Sequence, residues 1–441
     1  MKFCSKAALF LFLQLVLCFQ SFSQQFESSV FKERRGKITQ QASDGIIVLE
    51  SNPEVERNHD VTYDYRQGSD FYYLTGFEEP SSAIIIDPAS DKPYTLFVQL
   101  KDLKKEVWTG ILTGTEDAVS VYGADNSYSI KKFDSTLQKY IKEGRKIYYP
   151  KSNDRISAII SKTSSVVKTA DVTALIAELR LFKSEYEIEM MQKSIDITCD
   201  GLIACMKSAK PGMYEYQIQA VLEYNFRIAG SPRNGFPSIV GSGPNATILH
   251  YETNRRLTED GDMVVMDVGA EFGYYSADVT RTFPVNGKFS PAQKRIYSIV
   301  LAAQTEAMEF IKPGVRFNQV DSVARSVVHK GLVALGMIQE SDNTSRFFMH
   351  GTSHWLGLDV HDAGSYSSGG KGNRILEPGM VLTVEPGIYI KDGTAGVDAE
   401  YYNIGVRIED DVLVTRDGFK LLSGKAPREI NEIEKLMSEG K

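Results

Sequence analysis

The sequence predicts a mixed α/β chain of two domains, and three observations carry that reading. Its 441 residues are more than one core of ordinary size organises. Residues from about 44 to 150 alternate short strand-like runs with turns. From Ser184 onward, long helical patterns give way to strands bounded by Pro-Gly and Asp-Gly turns.

Apolar residues make up 42% and charged residues 24%, the balance of a soluble globular protein. The net charge of −7 leaves no electrostatic footprint for nucleic acid, so none is expected as a partner. Lys2 and Lys6 precede the apolar run Ala7 to Phe19, and Ser21-Phe22-Ser23 supplies small residues at cleavage spacing before Gln24. Residues 1–23 therefore read as a signal peptide, and the mature chain is expected to be exported, to the periplasm or the medium. The apolar run falls short of the roughly 20 residues of a membrane span, so no stable membrane partner is expected. Leu15-Val16-Leu17-Cys18 resembles a lipoprotein signal, but Leu17 stands where such signals carry a small residue. Cleavage would leave Cys199 and Cys205, six apart in a predicted helix and on different faces. No disulfide framework is expected, and both read as small buried apolar residues.

In the first domain, residues 24–178, Ile84-Ile85-Ile86 ends at Asp87-Pro88, Tyr94 to Val98 follows Lys92-Pro93, and Lys146 to Tyr149 ends at Pro150. No metal-type or nucleophile-type cluster occurs there, which suggests a structural role. The second domain, residues 179–441, opens at Arg180-Leu181-Phe182-Lys183. Ser184 and Glu187 form a capping box for a helix through Ile188, Met191, Ile195 and Leu202. A helical pattern from Tyr214, a strand-rich stretch from Ser238 to Val285, and a helix announced by Ser290-Pro291 follow. Strands return at Val381 to Val384 and Val406 to Val414.

The chemistry concentrates in this second part. Met263 to Val268 reads as a strand and Tyr274 to Thr282 as its partner, with Phe272-Gly273 as the turn. Counting back from that turn pairs Asp267 with Asp278, two carboxylates about 5 Å apart that repel unless a cation lies between them. His350, His354 and His361 place three of six histidines within twelve positions, and His354 offers the nitrogen ligand. Glu385 ends an apolar strand just before Pro386-Gly387, and Glu409 sits inside another, on the face of Arg407 and Asp411. Two Asp, two Glu and one His suit manganese, cobalt or iron better than a sulfur-rich zinc site. Four carboxylates overcharge a single ion but can bridge two, about 3.5 to 4 Å apart.

These residues also carry a family resemblance. The string Met349-His350-Gly351-Thr352-Ser353-His354-Trp355-Leu356-Gly357-Leu358-Asp359-Val360-His361-Asp362, with Val384 to Tyr389 and Val406 to Asp410, closely resembles the aminopeptidase P family of pita-bread metallopeptidases. Tyr65 to Phe71 and Arg180 to Ser184 extend the likeness to the first domain and the junction. It implies a creatinase-type N-terminal domain followed by a pita-bread catalytic domain of two pseudo-symmetric α/β halves. It implies an Xaa-Pro aminopeptidase with two divalent ions, manganese first and cobalt, iron or zinc as alternatives, held by Asp267, Asp278, His354, Glu385 and Glu409. Glu385 would pass a proton to the leaving proline nitrogen, His361 would stabilise the tetrahedral intermediate, and His250 and Arg407 would complete the outer sphere. His350, Tyr389 and Arg407 would shape the proline pocket, and Trp108 resembles a tryptophan contributed across subunits. The partners so implied are peptides with proline second and further copies of the chain, as a dimer or tetramer.

Two rivals remain at this stage. Prolidase shares the fold but cleaves dipeptides; Ser353-His354-Trp355 and Trp108 favour the longer-substrate enzyme. A non-catalytic pita-bread protein would have lost ligands, and all five are present. Residues 390–400 carry little of the resemblance, which leaves substrate length preference open.

Overall fold

The computed structural model describes residues 28–163, 167–367 and 373–440. The export signal expected in residues 1–23 lies outside the described residues. The chain divides into two units, Met1–Leu179 and Arg180–Lys441.

In the first unit, helix α1, followed from residue 28 to 41, precedes strand β1 (Gly45–Glu50). A small hairpin of β2 (Glu56–Asn58) and β3 (Val61–Thr62) leads to α2 (Ser69–Thr75), β4 (Ala83–Ile86) and β5 (Tyr94–Val98). Helices α3 (Leu103–Thr109) and α4 (Gly114–Ser120), β6 (Asn126–Ser129), α5 (Phe133–Lys142) and β7 (Lys146–Tyr149) follow. The run closes with α6 (Asp154–Thr163), β8 (Thr169–Asp171) and α7 (Thr173–Leu181), the last crossing the boundary. Six strands form one mixed sheet, ordered β6-β5-β4-β1-β7-β8, which contains all three strands expected there. Its central strands are buried on both faces, which is why they read as unbroken runs such as Ile84-Ile85-Ile86 rather than alternating. One face carries Ile46, Val48, Ile85, Phe97 and Ile147 onto Phe133, Leu137 and Ile141 of α5 and Ile156 and Ile159 of α6.

The second unit runs twice through a pair of helices followed by antiparallel strands. Helices α8 (Glu185–Ser208) and α9 (Glu215–Ile228) precede β9 (Arg233–Asn234), β10 (Ile239–Ser242), β11 (Met263–Val268), β12 (Ala270–Phe272), β13 (Tyr275–Ser276) and β14 (Val279–Pro284). Helices α10 (Pro291–Glu309) and α11 (Phe317–Ala334) precede β15 (Val381–Val384), β16 (Gly387–Ile390), β17 (Ile404–Arg407), β18 (Asp410–Val414) and β19 (Phe419–Leu421), and α12 (Ile430–Glu439) ends the fold. This repetition is the pita-bread arrangement. The capping box at Ser184 is formed in full: its hydroxyl accepts from the Glu187 N–H, and Glu187 Oε2 accepts from the Ser184 N–H at 3.0 Å. Ser290 caps α10 in the same way, with Pro291 in the first turn.

Two strand expectations need correction. The β12–β13 turn sits on Gly273 and Tyr274, with φ of 56° and 71°, because a two-residue type I′ turn needs positive φ at both central positions. Phe272 therefore pairs with Tyr275, and Asp267 pairs with Thr280 instead of Asp278. The slip is two residues, and an even slip keeps every side chain on its face. Asp278 thus stays on the Asp267 side, one diagonal step away, in the gap between β13 and β14. The expected strand from 406 to 414 is also broken, since β17 pairs with β16 while β18 pairs with β15. Glu409 sits in that break, its N–H donating to the Thr280 carbonyl at 3.1 Å.

Candidate metal centre

The breaks and strand ends just described bring the five expected ligands to one cavity of about 450 Å³. Asp267 comes from β11, Asp278 and Glu409 from the two strand gaps, and Glu385 from the residue after β15. His354 lies in the segment tied to β15 through the bridge between Trp355 and Leu382. Its Nδ1 meets the Trp355 carbonyl at 3.0 Å, which fixes the hydrogen on that nitrogen in the neutral ring. Nε2 is left facing Asp278 at 3.2 Å, Glu385 at 3.6 Å and Glu409 at 4.0 Å.

The donor set is underpaired by protein atoms. Asp267 Oδ1, Asp278 Oδ1 and Glu409 Oε1 are buried and accept no hydrogen bond among the described residues. Leaving buried carboxylate oxygens unpaired is costly unless a cation answers them. Atoms of Asp278, His354 and Glu409 already lie within 4.8 Å of one another. Burial, then repulsion from Asp267, Asp411 and Glu385, pushes the Asp278 carboxyl well above its usual range. Glu409 is raised well above its range by burial and by Asp278, and Glu385 is raised to about 7, chiefly by burial. Such acids hold their charge only beside a compensating cation, so the residues present fit divalent metal.

Around the ligands runs a bonded chain. Arg407, fully enclosed, donates to Asp267 Oδ2 at 2.6 Å and to the Tyr389 hydroxyl at 2.9 Å. The same hydroxyl lies 2.7 Å from His350 Nε2. Burial and the Arg407 charge lower His350 to a pKa of about 4, so its ring is neutral at pH 7. Thr280 donates to Glu409 Oε2 at 2.6 Å and accepts from Arg407 Nε at 3.2 Å. His361 stands with its ring 4.3 Å from that of His354, and burial and the neighbouring His354 and His250 lower its pKa. His250 lines the same cavity.

Trp108 is described with the first unit alone, on α3 and 87% exposed. Sequence reasoning missed Thr280, whose only signal was its place between two ligand-bearing segments. It also missed Asp411, which accepts from the Asp278 N–H at 3.2 Å, and Arg281, which donates to the Glu409 carbonyl at 2.6 Å and to Asp410 at 2.7 Å. These two hold the backbone on which Asp278 and Glu409 are mounted.

Comparison with known proteins agrees with this geometry. The model of metallopeptidase family M24 matches residues 189–416, that of the aminopeptidase P N-terminal domain matches residues 31–148, and the chain belongs to family M24. It is 41% identical over 421 residues to an Xaa-Pro aminopeptidase of Haemophilus influenzae, covering 92% of this chain and 97% of that one. Among solved structures it resembles aminopeptidase PepP of Pseudomonas aeruginosa, with a TM-score of 0.90 at 38% identity over 94% of this chain and 98% of that one. It also resembles aminopeptidase P of Escherichia coli bearing the inhibitor Pro-Leu, with a TM-score of 0.89 at 36% identity over the same shares.

Proposed function

We infer that the chain is an Xaa-Pro aminopeptidase, which releases an N-terminal residue standing before proline. The observation that carries this is the convergence of Asp267, Asp278, His354, Glu385 and Glu409 on one cavity in a chain 41% identical to a protein of that activity. When bound, divalent metal supplies Lewis acidity and a water acid enough to give hydroxide near neutral pH. The rest of the work falls to the chain. The buried carboxylates orient the free α-amine, which restricts cleavage to chain ends. Glu385, on the cavity wall 3.6 Å from His354 Nε2, is placed to accept a proton and return it to the leaving proline nitrogen. His361 donates to the carbonyl oxygen as charge develops there. Neutral His350, with Tyr389 and Arg407, walls the ring that an Xaa-Pro bond presents in place of an amide N–H.

Three finer points are proposals with separate supports. Two ions per chain, manganese foremost, follow from four carboxylates and one imidazole as donors. Export with cleavage near Ser23 follows from the Lys-flanked apolar run. Self-association that uses Trp108 follows from its exposure on α3, where Leu103 and Val107 are 81% and 80% exposed. Turnover of Xaa-Pro-Pro peptides by metal-loaded protein tests the activity.

A further inference from the structure

One charged group on the cavity wall takes no part in the chemistry above. Glu252 lines the same cavity as the ligands, is exposed, and has no hydrogen-bond or ion-pair partner among the described residues. The apolar part of that cavity's lining comes from Phe236, Pro237, Ile239, Leu249 and Val360.

The backbone that carries Glu252 is fixed on both sides. Before it, the Tyr251 hydroxyl donates to Glu215 Oε2 at 2.8 Å, and after it the Arg256 N–H donates to the same oxygen at 2.8 Å. Glu215 is completely buried at the start of α9 and also accepts from the Ser242 N–H and hydroxyl, at 2.8 and 2.7 Å. Asn254 adds a second clamp: its Oδ1 accepts from the Val240 N–H at 3.0 Å, and its Nδ2 donates to the Ser238 carbonyl and to Gln219 Oε1, at 2.8 and 2.9 Å. Asn254 itself sits at φ 50°, in the left-handed region that asparagine enters more readily than most residues. A free carboxylate between two such clamps is presented to the cavity by the fold.

We propose that Glu252 makes this site prefer peptides whose first residue is arginine or lysine. The inference rests on the aminopeptidase reading. His350, Tyr389 and Arg407 form one bonded group assigned to proline, so the remaining apolar lining is left for the first side chain. Arginine and lysine lay an aliphatic stem along such a surface and carry their charge to its edge, where Glu252 stands. An aliphatic first residue fills the wall without answering the carboxylate, and an acidic one is repelled by it. Because the pair is exposed, its effect is modest and weakens as salt rises.

The test compares kcat/KM for Arg-Pro-Pro, Leu-Pro-Pro and Glu-Pro-Pro, using the full chain loaded with manganese, at low and high salt. Wild type is expected to favour the arginine peptide over the leucine peptide by about fivefold at low salt, the scale of one exposed ion pair. Glu252→Gln should bring that ratio close to one, and Glu252→Lys should move the preference to the glutamate peptide. Identical ratios in all three proteins overturn the proposal. So does an equal slowing of all three peptides in Glu252→Gln, which would assign the carboxylate to the α-amine instead. Failure of wild type to cleave any of the three would overturn the aminopeptidase reading itself.

Discussion

Arg407 donates from Nη2 to Asp267 Oδ2 at 2.6 Å, joining residues 140 positions apart, while Asp267 Oδ1 is buried with no hydrogen-bond partner among the described residues. Arg407 keeps its proton firmly: burial opposes the charge, but Tyr389, Asp267 and Glu409 together raise its pKa well above the usual value. Arg407→Lys cannot reach Asp267, Tyr389 and Thr280 at once, because a single ammonium replaces a planar fork. Its kcat/KM should fall about 10- to 100-fold, the usual cost of disturbing a group that orients a ligand. Kinetics and metal content measured on the same preparation check this.

His354 and His361 meet edge to face, with ring centroids 4.3 Å apart, but should separate cleanly by substitution. His354→Ala removes the nitrogen that faces three carboxylates and should lose metal. His361→Ala should keep its metal while kcat drops by about 10²- to 10³-fold, as expected for a donor to a developing oxyanion. Equal metal loss in both variants would show the roles to be misassigned.

Metal stoichiometry is a third expectation. Protein freed of metal and reconstituted with manganese should reach full activity at about two ions per chain by elemental analysis. Saturation of activity at one ion would contradict the dinuclear reading.

Asp362 gives an acid-stability prediction away from the ligands. Burial alone would raise its carboxyl, but Lys183 Nζ at 3.0 Å and Arg180, also hydrogen-bonded to it, bring the pKa below the ordinary value. A depressed folded-state pKa contributes stability that is complete above the unfolded value, near 4, and is lost as pH falls through the folded value. Asp362→Asn should therefore be less stable than wild type at pH 7 by about 3 to 5 kcal/mol, since buried Lys183 loses its carboxylate and Arg180 keeps only Asp359, at 2.7 Å, of the two acids it pairs with. The gap in Tm should narrow as pH falls below about 4.

Export is tested by mass spectrometry of the protein from its own cells. The mature N-terminus is expected at or near Gln24, and intact Met1 would contradict the proposal.

The parts of this site that the sequence revealed are those whose chemistry is odd for their position: carboxylates closing apolar strands at Glu385 and Glu409, and paired aspartates in one hairpin. Register was misjudged because nothing local announces that Tyr274 accepts positive φ. The supporting pairs were illegible for another reason. Thr280 with Glu409, Arg281 with Asp410 and Glu215 with Arg256 meet only after 129, 129 and 41 residues of intervening fold, and each alone is an unremarked polar residue. Similarly, only the assembled cavity wall singles out Glu252 from other surface acids.

The central claim is cleavage after the first residue when proline is second, and chromatography of three peptides tests it most directly. With manganese added and equal concentrations, Xaa-Pro-Pro should be cut between residues one and two, faster than Xaa-Pro and much faster than Xaa-Ala-Pro. Hydrolysis of the dipeptide alone would make the enzyme a prolidase, and a preference for the alanine peptide would contradict the proline assignment outright.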